Sequence, residues 1–245
     1  MNSLTVIIPT YNEANYIEDA IKSVEFANEI IVIDSYSSDD TKSIALENGC
    51  KVLERKFDNF SNQKNEAIKH VTSKWILFLD ADERVTQKLK IEILKSIKNE
   101  NHQGYKIQFP HFYMNRFLYH HTNKVLRLVK NEDVYFKGSV HEKLIVKGSI
   151  GELKNFMIHY TYKGLFHYLA KKDSYAWFQA KNMLKKKKKP SYAVLLFKPF
   201  YRFFHSYIIK RGFLDGVPGL AVAAINAYGV FSRYAKLILL EKGLK

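Results

Sequence analysis

One cysteine in 245 residues, Cys50, excludes an intramolecular disulfide framework. No Gly-x-Gly-x-x-Gly follows the first apolar run, and Gly-x-x-x-x-Gly-Lys occurs nowhere, which argues against a dinucleotide enzyme and a P-loop NTPase. The amino terminus runs into a strand pattern without a basic and apolar leader, so a cytoplasmic location is expected. Lys198, Arg202 and Arg233 interrupt the longest apolar runs, so no segment is expected to reach the ~18 to 20 residues that span a bilayer. Acids are scarce beyond residue 100: the first hundred residues hold 13 Lys and Arg against 17 Asp and Glu, the remainder 26 against 7. The net charge of +15 therefore belongs to the second part of the chain, and the two parts are expected to meet different partners.

An apolar content of 47% suits a globular protein with a real core. Residues 4–9 read as a buried strand, followed by the polar turn Thr10-Tyr11-Asn12-Glu13. Ile17, Ala20, Ile21 and Val24 recur at helical spacing and predict a helix over 14–27, with Asn12 as its cap. Strands are expected at 29–34, 51–54 and 74–80, and helices at 41–48 and 61–71, with Gly49 closing the first of these helices. This alternation predicts βαβ units and a parallel sheet, an α/β fold.

Trp75-Ile76-Leu77-Phe78-Leu79 has no alternation and suits a strand buried on both faces, with Asp80 and Asp82 at its carboxyl end. Open α/β sheets bind ligands at that end. The small Ala81 lets the backbone turn sharply, so both acids can approach one hard cation such as Mg²⁺ or Mn²⁺, and the pair reads as a metal-diphosphate site. Asx chemistry in a turn or helix cap is the ordinary alternative for such a tripeptide. Parallel strands bring the ends at Thr10–Glu13, Asp34 and Asp80–Asp82 to one edge, which favours function over coincidence.

Val6-Ile7-Ile8-Pro9-Thr10-Tyr11-Asn12-Glu13, then Ile31-Val32-Ile33-Asp34-Ser35 with Ser38-Asp39-Asp40-Thr41, then Asp80-Ala81-Asp82-Glu83, resemble the family 2 glycosyltransferases of GT-A fold in order and spacing. Gln63-Lys64-Asn65-Glu66-Ala67, Gly138-Ser139-Val140-His141-Glu142 and Phe213-Leu214-Asp215-Gly216 further resemble the lipopolysaccharide core β-glucosyltransferase branch. The resemblance implies a UDP-sugar donor, with Thr10, Tyr11, Asn12 and Glu13 at the nucleoside, Asp34 accepting the uracil N3 hydrogen, Asp80 and Ala81 at the ribose and metal, and Asp82 ligating Mg²⁺ or Mn²⁺. Lys64 is a candidate second cation for the phosphates, and a solvated surface Lys is its plain alternative. Inverting transfer needs a carboxylate that takes the acceptor proton; Glu142 is the candidate base and His141 its rival, since alternation sets the two on opposite faces. His159 could complete the metal site, whereas His111, His120 and His121 match no metal-ligand spacing.

Residues 105–109 and 124–129 read as strands around an aromatic, His-rich stretch at 110–121. The expected division is a glycosyltransferase domain at 1–155, with nucleotide-sugar and acceptor portions meeting near residue 100, and a helical, membrane-proximal segment at 156–245. Residues 160–245 hold 17 Lys and Arg against 3 acids, and 18 of the 35 aromatic residues. Helices are expected at 165–189, 192–211 and 220–241, with Pro190 as a break and a turn at 212–219. Cations mixed with aromatics suit an anionic membrane surface, here the inner face of the cytoplasmic membrane, and no nucleic-acid module appears. The expected acceptor is a lipopolysaccharide core heptose and the expected sugar glucose. Capsule, O-antigen or another glycan is the enzymatic alternative, and a non-catalytic polyanion- or lipid-binding protein on the same fold is the alternative of another class.

Overall fold

The computed structural model describes residues 3–114, 116–138, 142–159, 165–187 and 191–244. The chain falls into two compact units, residues 1–109 with 123–160 and residues 110–122 with 161–245.

In the first unit the continuous apolar runs become the buried strands that they predict, β1 (Leu4–Thr10), β2 (Glu29–Asp34) and β4 (Trp75–Phe78), and the short β3 (Lys51–Glu54) is a partly exposed edge strand. β1 lies between β2 and β4 and pairs parallel with both; β2 also pairs parallel with β3. The connecting helices are α1 (Ile17–Ser23), α2 (Thr41–Glu47) and α3 (Phe60–Ile68). Gly49 takes a left-handed φ of 74° just after α2, the conformation that makes glycine a helix terminator.

α1 is shorter than its apolar stripe suggests, and Asn12 does not cap it. Asn12 instead sits at φ 55° and accepts a hydrogen bond from the Ser38 backbone N–H at 2.8 Å. An Asn tolerates that left-handed backbone better than most residues, so it serves the turn rather than the helix.

Beyond β4 come β5 (Glu83–Val85) and α4 (Gln87–Asn99), capped by Thr86, whose hydroxyl accepts from the Leu89 N–H. β6 (Gly104–Tyr113) and β7 (Arg116–Lys130) extend beyond the strands expected at 105–109 and 124–129 into the aromatic, His-rich stretch between them. Pro110 does not end β6; a proline there removes only one donor. β8 (Tyr135–Lys137) and β9 (Lys143–Ile145) form a small separate pair, and β10 (Ile150–His159) completes the large sheet in the order β3-β2-β1-β4-β7-β6-β10-β5. One apolar cluster on each face covers the parallel strands, with Trp75, Leu77 and Leu79 in one and Ile76 and Phe78 in the other. Burial on both faces is why these strands read without alternation.

The second unit contains α5 (Leu165–Lys185), α6 (Tyr192–Phe204) and α7 (Gly216–Glu241), with a π-helical turn His205–Ile209 and a 3₁₀ turn Gly212–Asp215 between the last two. α7 therefore begins inside the stretch expected to be a turn. Tyr113 and Leu118 pack with Val222 and Ile225, and Ala180 packs with Tyr234 and Leu237. Contrary to expectation, among the described residues one segment, Gly212–Glu241, is long and apolar enough by length and composition to cross a bilayer, because residues 216–232 carry no charge; one third of an 18-residue stretch within it is buried.

Gly219 marks a close backbone approach in this unit. A Cβ there would lie 2.0 Å from the Gly212 carbonyl oxygen and 2.9 Å from Asp215 Cβ. Gly219→Ala is expected to cost about 1–3 kcal/mol, as overpacking does. Thermal denaturation should show a midpoint several degrees lower, and an unchanged midpoint would refute the close approach.

Candidate active site

Strand register sets the frame of the site. Thr10 stands opposite Asp34, and Ile7 opposite Phe78, so three parallel strands end on one edge with their polar turns. Asp34 is buried; its Oδ1 accepts from Thr10 Oγ1 at 3.0 Å and Ser37 Oγ at 2.5 Å, and its Oδ2 from the Ser37 N–H at 2.7 Å. A carboxylate offers about four acceptor positions, so one remains for a ligand donor. The first turn is tied to the second: the Asn12 N–H donates to Ser37 Oγ, that of Glu13 to Thr41 Oγ1 at 2.8 Å, and that of Ala14 to Asp39 Oδ2. Tyr11 and Tyr36 are exposed beside this pair of turns.

The second half of the site is a tight turn, in which the Glu83 N–H donates to the Asp80 carbonyl and the Asp80 N–H to Glu83 Oε2, both at 2.9 Å. Ala81 is buried inside it and joins the apolar cluster on one face of the sheet. β5 pairs antiparallel with β10 and sets His159 opposite Glu83, which brings His159 Nε2 to 3.0 Å from Asp82 Oδ2. Burial disfavours a charged imidazole, yet the hydrogen bond and charge of Asp82 outweigh it and raise the pKa of His159.

Arg127, on β7, is the residue that sequence reasoning missed. Its guanidinium reaches Asp80 Oδ2 at 2.7 Å and Glu83 Oε1 at 2.5 Å, and its Cζ lies 5.5 Å from the centre of the Phe109 ring. Burial penalises Asp80 as an anion, but Arg127 and then Lys64 hold its pKa well below the usual carboxylate range. For Glu83 burial dominates; with Arg127 opposing and Asp80 reinforcing, its pKa is pushed up to about 8. Two carboxylates sharing one buried guanidinium cannot ionise equally. The available signal was a lone Arg between Leu126 and Leu128 in an apolar strand, since such a charge requires a partner.

α3 clamps three segments through consecutive side chains. Gln63 donates to the Ile33 carbonyl and Ser35 Oγ, Lys64 to Glu142 Oε1 at 3.1 Å, and Asn65 exchanges two hydrogen bonds with the Phe136 backbone. Lys64 is buried, with its ammonium 5.0 Å from the centre of the Phe136 ring. The two residues read separately as phosphate cation and general base are thus an ion pair. His141 lies outside the described residues.

A divalent cation must be judged on the donors present. Asp82 and His159 supply one oxygen and one nitrogen side by side, while Arg127 engages Asp80. Among the described residues no three His, Cys, Asp or Glu side chains gather as a set able to hold an ion. Mg²⁺ sites commonly use one or two carboxylates and leave the other positions to water and substrate phosphates, so Asp82, with His159 beside it, fits such an ion.

A family model for glycosyl transferase family 2 matches residues 5–160. A glycosyltransferase of Rickettsia bellii is 31% identical over 96% of this chain and 85% of its own length. The lipopolysaccharide core biosynthesis glycosyltransferase LpsC of Rhizobium meliloti is 22% identical over 95% of this chain and 93% of its own. Among solved structures, glucosyl-3-phosphoglycerate synthase of Mycobacterium tuberculosis, in complex with Mn²⁺, UDP and glucosyl-3-phosphoglycerate, aligns with 44% of each chain at 23% identity and a TM-score of 0.39.

Proposed function

The chain belongs to glycosyl transferase family 2, with its GT-A-like α/β fold, and from that premise we propose an inverting hexosyltransferase that uses a UDP-sugar and a divalent cation. The observation that carries this reading is the shared carboxyl edge of β1, β2 and β4, where Asp34 and the Asp80–Asp82 turn stand on parallel strands. Asp34, fixed by Thr10 and Ser37, presents an acceptor to the uracil N3 hydrogen, and the turn at 10–13 borders the nucleoside. Asp82, assisted by His159, would hold Mg²⁺ or Mn²⁺, with Asp80 oriented by Arg127 toward the ribose and metal. A bound cation of this kind neutralises charge on the diphosphate as the sugar leaves.

Glu142 takes the proton of the acceptor hydroxyl as that oxygen attacks the anomeric carbon from the face opposite UDP. Its ion pair with Lys64 gives the ammonium an alternative anionic partner, the incoming phosphates, so donor binding would release the carboxylate. The acceptor we assign is the heptose of a lipopolysaccharide inner core and the sugar glucose. Likeness to LpsC along most of both chains supports that acceptor over capsule or O-antigen. The enzyme would work at the inner face of the cytoplasmic membrane, where the basic, aromatic second unit meets anionic lipid.

The test is UDP release across a panel of UDP-sugars with truncated lipopolysaccharide core as acceptor, beside calorimetry with UDP. Asp34→Asn is expected to weaken UDP binding by about tenfold, the value of roughly one hydrogen bond to a charged group. Glu142→Gln should keep UDP binding and lower kcat by about 10²-fold or more. A native chain that binds no UDP would sink the reading.

A further inference from the structure

α6 is a helix without one buried residue, although it is among the most apolar segments of the chain. Its inner face is accounted for: Val194 and Leu195 are half-buried against the Ala180, Tyr234 and Leu237 cluster, and Lys198 donates to the Tyr234 hydroxyl at 2.6 Å. The outer face is apolar instead of polar. Tyr192, Phe197, Phe200, Tyr201 and Phe204 are all exposed, Phe197 and Phe200 by 73% and 74%, and the exposure continues through Ile209 and Leu214 after the helix. Soluble helices place charge on such a face, so this one is built to meet a surface.

The charges around it indicate which surface. Residues 191–217 carry Lys198, Arg202, Lys210 and Arg211 against a single acid, Asp215, which is buried. Packing this face on its own copy about a twofold axis would bring those cations together and leave them uncompensated. Anionic phospholipid headgroups supply the missing charge, and the acyl boundary takes up Phe and Tyr rings. α7 does not serve as the anchor, because its polar side chains are committed within the unit: Asn226 accepts from Lys172, Arg233 donates to Gln179, and Ser232 and Lys236 donate to Asp173.

We propose that residues 191–217 form an in-plane membrane anchor that lies in the headgroup layer of an anionic phospholipid bilayer, with Phe197 and Phe200 inserted and Arg202, Lys210 and Arg211 on lipid phosphates. The anchor deepens the membrane-proximal part of the proposed function and rests on it for location alone, not for donor or acceptor.

Co-sedimentation of the full chain with vesicles of phosphatidylcholine, alone or with an equal part of phosphatidylglycerol, tests it. Each buried Phe is expected to account for about tenfold in partitioning, so Phe197→Ser/Phe200→Ser should lose about a hundredfold on the mixed vesicles. Arg202→Gln/Lys210→Gln/Arg211→Gln should lose about fivefold per cation on those vesicles and little on neutral ones. Tryptophan at position 200, introduced as Phe200→Trp, should be quenched by lipids brominated along the acyl chain. Native-like partitioning of the double Ser variant, or no quenching, overturns the anchor; so does a lipid-free dimer that the double Ser variant converts to monomer, which would assign the face to a second copy. UDP release with a soluble, truncated core saccharide separates the two readings, since its absence from the native chain would remove the transferase and leave the vesicle results standing.

Discussion

Replacing Arg127 by Met is expected to cost about 3–5 kcal/mol of folding stability, because it leaves Asp80 and Glu83 without the cation that they share. For a chain of this length that corresponds to a fall in the denaturation midpoint of roughly 10 °C. The mechanism is specific and can be separated from lost packing. Arg127→Lys retains the charge but lacks the planar fork that reaches both carboxylates, so it should recover only part of the loss. Adding Asp80→Asn to Arg127→Met removes the stranded anion and should recover another part, whereas Glu83, whose pKa burial already pushes up, should contribute little. Activity should fall by more than the fraction of unfolded protein explains, since the 80–83 turn loses the contact that fixes Asp80. A midpoint within a degree or two of native would mean that the turn is held by backbone bonds alone.

Asp82→Ala should have the opposite profile, with fold intact and transfer gone. The Asp82 side chain is one-third exposed, and its hydrogen bond is to His159, so thermal stability should change by less than about 1 kcal/mol. Transfer should fall by about 10²- to 10³-fold, the typical effect of removing one preorganised electrostatic contact to the transition state. Mn²⁺ or Mg²⁺ returned after chelation should restore the native enzyme and not the variant. His159→Ala should weaken the response to metal less than Asp82→Ala does. Equal turnover by native and Asp82→Ala chains at saturating metal would remove Asp82 from the centre.

The parallel half of the sheet was legible because β1, β2 and β4 are buried on both faces and their apolar runs end abruptly, β1 in a polar turn and the other two in acids. Short elements were not. β5 has three residues, and its place is fixed by β10, more than sixty residues later, which no local pattern records. Local pattern shortens β6 and β7, because Pro110 and the surrounding His and aromatic residues look like punctuation, while strand pairing overrides local preference. Asp34, Asp80 and Asp82 could be named from strand ends, and His159 from the resemblance, but the partner that shapes Asp80 and Glu83, Arg127, could not. Arg127 and His159 reach the turn at 80–83 through sheet register, and the Lys64–Glu142 pair closes over a separation of 78 residues. Sequence shows which residue types end a strand, and topology decides what faces them.

The passage of the chain between its two units carries a consequence for how such an enzyme can evolve and be engineered. Residues 110–122 lie between two stretches of the first unit, yet belong to the second. Tyr113 and Leu118 use Val222 and Ile225 as their apolar neighbours, so a break at residue 160 would strip partners from the strand ends of β6 and β7 upstream of it. The carboxyl-terminal segment 161–245 is therefore not an exchangeable cassette. A chimaera that borrows it from a relative must borrow residues 110–122 as well, and gene fusion at a single junction would give a protein with mismatched halves. Inheritance of the two parts is coupled by packing, which favours drift of the chain as a whole over recombination of its pieces.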